Sequence, residues 1–331
     1  MAAFGTVFMP KMALATFENN SWTPSSIVPS DKLEFHPGAH VLHYSSTCFE
    51  GLKAFKHDDG SVNIFRMDAN IQRMAQSGEL LSLPEIDKDQ LAKMIKDAVG
   101  LYADDVPNPP GSMYIRPTHV GTEPAIGKAA APTESSALYV LLSPVGDYFS
   151  GGATALRLLL EEDGMRCAPH MGMIKSGGNY ASALGPILQA RKKCNADQIL
   201  FCPNGDVQET GAANFILIDG NEIITKALDS TFLHGITRDS ILTIARDAGM
   251  TVTERDFTVS ELLERAKKPG TEAALSGTAA VLTPVGTLIH NGQEFPVGSG
   301  EPGKTTLKLR QLLNDIQWGK TEDKYGWLEK I

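Results

Sequence analysis

Lys175 stands in the stretch MIKSGGNYASALGPIL, between the apolar pair Met173-Ile174 and the glycines Gly177-Gly178. A lysine at the end of an element ordinarily lays its stem on the surface and leaves its amine in water. Apolar flanks and glycines permit another arrangement, in which other groups close around a desolvated amine. An amine withdrawn from water loses its proton more readily and can form a Schiff base with a carbonyl. A carboxylate, Glu209, lies in DVQETGAANFILI between a turn and an apolar run, and Gly211, Ala212 and Ala213 follow it. It is either a loop residue in solvent or a buried anion. A buried anion needs a cationic partner, and a pyridinium nitrogen is one such cation.

Three further places suit an anion. GITRDSILTIA begins a helix at about Thr237, so the backbone N–H groups of Ile236 and Thr237 are available to a phosphate. ALSGTAAVLTPV contains a small-residue turn, Gly277-Thr278-Ala279, where backbone can approach a ligand closely. Arg73 lies beside Met74 in an amphipathic run and is either a third anion binder or a solvated helix charge. A fourth stretch, GSGEPGKT (Gly298 to Thr305), matches the phosphate-binding P-loop pattern letter for letter. That pattern works only between a hydrophobic strand and a helix. Here EFPV is too short and carries a proline, and Pro302 removes one of the loop donors. The stretch reads instead as a loop leading into the amphipathic helix TTLKLRQLLNDI.

The elements that must hold these residues follow from periodicity. KAFKHDDGSVNIF is a hairpin around Asp59-Gly60. NIQRMAQSGELL and QLAKMIKDAVGLYADD are helices, and SMYIRPTHV and SALYVLLSPV are strands. Pro144 and three glycines then break the pattern, marking an interdomain linker over 144–153. ATALRLLLEE opens the second half as a strand. A helix is expected from about Ala181, with Leu184, Ile187 and Leu188 on one face. QILFC and NFILI are buried strands around the turn PNGD, and TRDSILTIARDAG is a helix stopped by Gly249. Mixed strands and helices in two halves predict two α/β-type domains around a cleft. The smaller spans 1–143, and the larger, carrying Lys175, spans 154–331.

The chain has 331 residues, 42% of them hydrophobic, and a net charge of -9 without a basic block. Nucleic acid and acidic membrane surfaces are poor partners for such a chain. The start lacks a basic n-region, so neither a signal nor a transit peptide is expected. No apolar run is long enough to span a bilayer. Cys48, Cys167, Cys194 and Cys202 are scattered, which argues against a disulfide framework or zinc and for reduced thiols in a cytoplasm.

Taken together, these blocks resemble the branched-chain amino acid aminotransferases, pyridoxal-phosphate enzymes of fold type IV (D-amino acid aminotransferase-like, α+β or α/β, two domains). LHYSSTCFEGLKAF, MYIRPTHVGTEPAIG, KSGGNYA, QETGAANFI, LHGITRDSIL, SGTAAVLTPV and GEPGKTTLKLRQLLNDIQWG occur in the family's order. The resemblance implies reversible amino transfer from L-leucine, L-isoleucine or L-valine to 2-oxoglutarate. It makes Lys175 the Schiff-base lysine and proton shuttle. Tyr180 would bond the cofactor's phenolic oxygen, and Glu209 its ring nitrogen. Arg73, the amides of Ile236 and Thr237, and Thr278 would hold the phosphate. The Thr278-Ala279 turn would take the substrate α-carboxylate. Phe4, Tyr44, Phe49 and Tyr114 would line an apolar pocket with Arg116 at its polar edge. Homodimers or larger assemblies with shared sites are implied, and no metal. Two departures stand out. Ala280 and Thr283 replace a C-x-x-C of vertebrate members, and Ala212 stands where a threonine often sits. Within the same fold, a D-amino acid transaminase or a pyridoxal-dependent lyase is the alternative. A P-loop nucleotide-binding module is a more distant one.

Overall fold

Two ten-residue strands, Ser112–Gly121 and Ser136–Val145, organise the first half of the protein. They pair antiparallel along their whole length, with Tyr114 opposite Ser143, Arg116 opposite Leu141 and Thr118 opposite Tyr139. Successive strand residues point to opposite faces. Met113, Ile115, Leu138, Val140 and Leu142 therefore enter one core, and Tyr114, Arg116, Thr118, Tyr139, Leu141 and Ser143 share the other face. The computed structural model describes residues 4–146, 154–279 and 281–331.

By its contacts the chain forms two units. The first comprises Met1–Tyr148, Ile174–Gly177 and Asp315–Ile331; the second comprises Phe149–Met173 and Gly178–Asn314. This departs from a division at 144–153 into a smaller and a larger domain, since the units are of nearly equal size. Most of the expected linker, 147–153, lies outside the described residues. Two segments expected in the second domain join the first unit for local reasons. Leu328–Lys330 pairs antiparallel with Val62–Phe65, and the backbone around Lys175 is bonded to Phe49 and Ser77.

The first unit holds a nine-stranded sheet. The expected hairpin is present: Leu52–Lys56 pairs with Val62–Phe65, and Gly60 takes a φ of +81° at its tip. Helices Met67–Leu80 and Lys88–Leu101 bury Ile71, Met74, Leu91, Met94 and Ile95 in the same core as the long strands. Asp87 caps the second helix by accepting from the N–H groups of Asp89 and Gln90.

The second unit holds an eight-stranded mixed sheet. Gln198–Phe201 runs parallel to Leu156–Glu161, and Glu272–Gly277 lies antiparallel between Asn214–Asp219 and Val281–His290. The helix expected from Ala181 starts earlier and spans Gly177–Cys194. Its buried face also differs from expectation. Ala183, Ile187 and Ala190 pack with Ile199, Phe201 and Ile289, whereas Leu184 and Leu188 are 56% and 52% exposed. The 183/187/190 spacing is the helical one, and small alanines let the helix approach the sheet closely. Downstream, the C-terminal helix Lys304–Gln317 follows the P-loop-like stretch. Glu272 accepts from Thr305 N–H (2.9 Å), Thr306 N–H (2.7 Å) and Thr306 Oγ1 (2.8 Å). A carboxylate of the chain itself thus caps this helix, and it would repel a phosphate there.

Candidate active site

In the second unit the candidate groups converge at one end of the sheet. Asn214 opposes Ser276 across the ladder, so the turn before one strand neighbours the turn after the other. Glu209, in the first turn, is 1% exposed. Its Oε1 accepts from Leu233 N–H at 2.9 Å and lies 2.9 Å from Arg166 Nη1. Its Oε2 accepts from Asn214 Nδ2 at 3.1 Å. Asn214 donates as well to the carbonyl of Leu233 (2.8 Å), tying that carboxylate to the segment that enters the helix Ile236–Asp247.

Gly235 caps that helix without offering a side-chain acceptor. A Cβ at this position would lie 1.9 Å from Asn214 Oδ1, so the asparagine bracing Glu209 also demands glycine at the helix start. First-turn amides have no intrahelical acceptor, which leaves those of Ile236 and Thr237 as donors for an anion. In the neighbouring turn, a Cβ on Gly277 would meet Ala212 O and Ala213 Cβ at 3.8 Å and fill the space between the turns. Ser276 Oγ, buried beside it, has no hydrogen-bond partner among the described residues. Thr278 and Ala279 follow in the same turn; Ala280 lies outside the described residues. A buried carboxylate, a glycine-capped helix start and an unpartnered hydroxyl at a small-residue turn fit an aromatic, phosphorylated group with a basic ring nitrogen.

Arg166 is a buried member of this cluster that the sequence does not single out. It is 2% exposed, and beyond Glu209 its guanidinium lies 5.6 Å from the centroid of the Tyr180 ring. One buried cation thus serves two of the expected cofactor residues. In the sequence this arginine follows the acidic run Glu161-Glu162-Asp163, whose carboxylates mask its pairing with the distant Glu209.

In the first unit, Lys175 is held from both sides by its backbone. Its N–H donates to Ser77 Oγ (3.2 Å), and its carbonyl accepts from Phe49 N–H (3.0 Å). Its Nζ lies 5.2 Å from the Phe49 ring centroid. Ser77 and Arg73 are one turn apart on the helix Met67–Leu80, so the helix carries both to the same surface. Arg73 is not a solvated helix charge. It is buried, and its Nε and Nη2 donate to the two oxygens of Glu50 at 2.7 and 2.8 Å. Glu50 was also missed; its only sequence signal was a carboxylate inside the apolar run CFEGL.

The polar face of the two long strands lines a cavity of about 380 Å³, together with Phe4, Phe8 and Phe49. Tyr114 and Arg116 lie in its wall. Arg116 Nη2 donates to Tyr114 Oη (2.8 Å), and its guanidinium lies 4.6 Å from the Phe49 ring centroid. A Cβ on Gly51 would fall 2.1 Å from Tyr114 Oη, so glycine there makes room for that hydroxyl. The cavity therefore gathers Phe4, Phe49, Tyr114 and Arg116. Tyr44 is not among its lining; its hydroxyl donates to the carbonyl of Ile126, and its ring packs on His40.

Residues 47–288 match the family model of amino-transferase class IV. The chain is 34% identical over 336 residues to branched-chain-amino-acid aminotransferase 2 of Bacillus subtilis (strain 168), covering 99% of this chain and 92% of that one. Among solved structures, it resembles the Escherichia coli branched-chain amino acid aminotransferase. The TM-score is 0.77 at 26% identity, over 92% of this chain and 96% of that one. The fold is also that of the branched-chain amino acid aminotransferase from Thermobaculum terrenum in its PLP-form, with a TM-score of 0.79 at 22% identity, over 97% and 98%. The chain belongs to the class IV aminotransferases, and its fold is that of the fold type IV enzymes.

Proposed function

We propose that the protein is a branched-chain amino acid transaminase using pyridoxal 5'-phosphate, moving the amino group of L-leucine, L-isoleucine or L-valine to 2-oxoglutarate. The observation that carries this reading is the buried Glu209, braced by Arg166, Asn214 and Leu233 beside a glycine-capped helix start. When bound, the cofactor supplies an electron-withdrawing ring that accepts the charge left as a proton leaves the amino acid's Cα. Lys175 would hold the cofactor covalently through Nζ and move the proton at the substrate's Cα. Glu209 would hold the proton on the ring nitrogen, with Arg166 supplying its counter-charge. Tyr180 would donate to the ring's phenolic oxygen. The Ile236 and Thr237 amides, Thr278 and Arg73 would bind the phosphate. The Thr278-Ala279 turn would orient the substrate carboxylate. Phe4, Phe49 and Tyr114 would take a branched alkyl chain and Arg116 would meet a dicarboxylate, whereas Tyr44 lies outside this cavity.

A homodimer in the cytoplasm completes the proposal. It is supported by the sequence blocks shared with the family and by four free thiols. Among the described residues no helix is long and apolar enough to cross a membrane.

The direct test is spectroscopic. L-leucine should shift the visible band of the holoenzyme, 2-oxoglutarate should restore it, and D-leucine should do neither. A response confined to D-amino acids would replace this reading with the D-transaminase one.

The pairing of Arg73 with Glu50 shapes a second expectation. Arg73→Met removes one partner of a buried ion pair, which typically costs about 3–5 kcal/mol of stability. Adding Glu50→Gln should restore much of the thermal midpoint but not the cofactor's retention. That retention should remain roughly ten- to a hundred-fold weaker, as expected for one charge-assisted contact. Full retention on dialysis of the double variant would remove Arg73 from the phosphate site.

A further inference from the structure

The strand Ser136–Val145 carries two buried serines: Ser136 Oγ bonds His119 Nε2 at 2.9 Å, whereas Ser143 lies on the other face. The strand SALYVLLSPV is largely apolar, and alternate residues of it enter the core. Ser143 falls on the opposite face, directly across the ladder from Tyr114, and lines the cavity of about 380 Å³. It is 3% exposed, and its Oγ has no hydrogen-bond partner among the described residues. Arg116 Nε, from the next same-face position along the neighbouring strand, is buried and likewise without a partner among the described residues. Diagonal same-face neighbours on paired strands are within reach of one another's long side chains.

Buried polar groups are normally satisfied, so an unsatisfied pair in one cavity wall calls for a ligand group that completes it. Both groups can donate, one through O–H and the other through N–H. Tyr114 Oη accepts from Arg116 Nη2, but from neither of these two donors among the described residues. A group that only accepts, with two oxygens to offer, matches this wall, and a carboxylate is such a group. A branched alkyl chain cannot satisfy either donor.

We infer that Ser143 is a specificity-determining residue: its hydroxyl, with Arg116, binds the distal carboxylate of a five-carbon 2-oxo dicarboxylate and contributes nothing to the branched alkyl substrate. This rests on the transaminase reading above. It separates the two substrates that must share one cavity by a single hydroxyl at its wall.

The test uses two unreactive acids titrated calorimetrically into the holoenzyme: glutarate, which keeps the distal carboxylate, and 4-methylpentanoate, which replaces it with a branched end. Ser143→Ala should weaken glutarate by about tenfold or more, the effect of losing one hydrogen bond to a charged group. It should leave 4-methylpentanoate within about twofold, by the same affinity arithmetic. Ser143→Thr, which keeps the hydroxyl, should hold glutarate within about threefold of wild type. Unchanged glutarate binding in Ser143→Ala would overturn the inference alone, as would equal weakening of both acids. Failure of the wild type to bind either acid would overturn the transaminase reading, and the inference with it.

Discussion

Lys175→Ala is expected to lower the rate of amino transfer from L-leucine by at least about 10⁴-fold, roughly 5.5 kcal/mol of barrier. A positioned proton-transfer group alone contributes about 10²–10⁴-fold, and this variant also loses the covalent hold on the cofactor. The fold should survive. The bonds that position the segment, to Ser77 Oγ and from Phe49 N–H, are made by the backbone of Lys175 and not by its side chain. The stacking of Nζ on Phe49 is worth only about 0.5–1 kcal/mol. Single-turnover kinetics and a thermal melt check both halves. A variant with a wild-type melt and a rate within tenfold of wild type would exclude Lys175 as the reacting amine.

Glu209→Gln is expected to slow the same step by about 10²-fold or more, a barrier rise of roughly 3 kcal/mol. An amide cannot hold a proton on the ring nitrogen as a carboxylate does. This change has a second consequence that follows from Arg166. Both side chains of that pair are about 2% exposed. Neutralising one therefore leaves the other charge buried without its counter-ion, typically at a loss of about 3–5 kcal/mol of stability. The two effects separate in the double variant Glu209→Gln with Arg166→Met. Stability should return because both charges are gone, while the rate should stay low. If the double variant recovers both, Glu209 matters only as a brace for Arg166.

Much of this architecture was legible because its signals are local. Asp59-Gly60 announces its own turn, and SMYIRPTHV and SALYVLLSPV are long enough, and rich enough in β-branched and aromatic residues, to read as strands. The lysine, Glu209 and the two turns proposed to bind the phosphate are short blocks whose glycines and small residues are needed nearby. What was hidden depends on distant partners. Arg166 acquires meaning only opposite Glu209, and Arg73 changes role once Glu50 is beside it. In the helix Gly177–Cys194 the leucines suggest one buried face and the structure buries another, because leucine is a stronger apolar signal than alanine. Close packing on the sheet instead selects Ala183 and Ala190, leaving Leu184 and Leu188 outside. The strand Leu328–Lys330 is three residues long, too short to show a period, and it moves the chain's end into the first unit.

Borohydride reduction of the purified yellow holoenzyme tests the central claim most directly. Reduction fixes the cofactor to whichever amine holds it, and peptide mass spectrometry after digestion finds that amine. The account predicts bleaching of the visible band and a single phosphopyridoxyl adduct on the peptide containing Met173-Ile174-Lys175. An adduct on any other lysine, or no adduct from a protein that carries the cofactor, would contradict it.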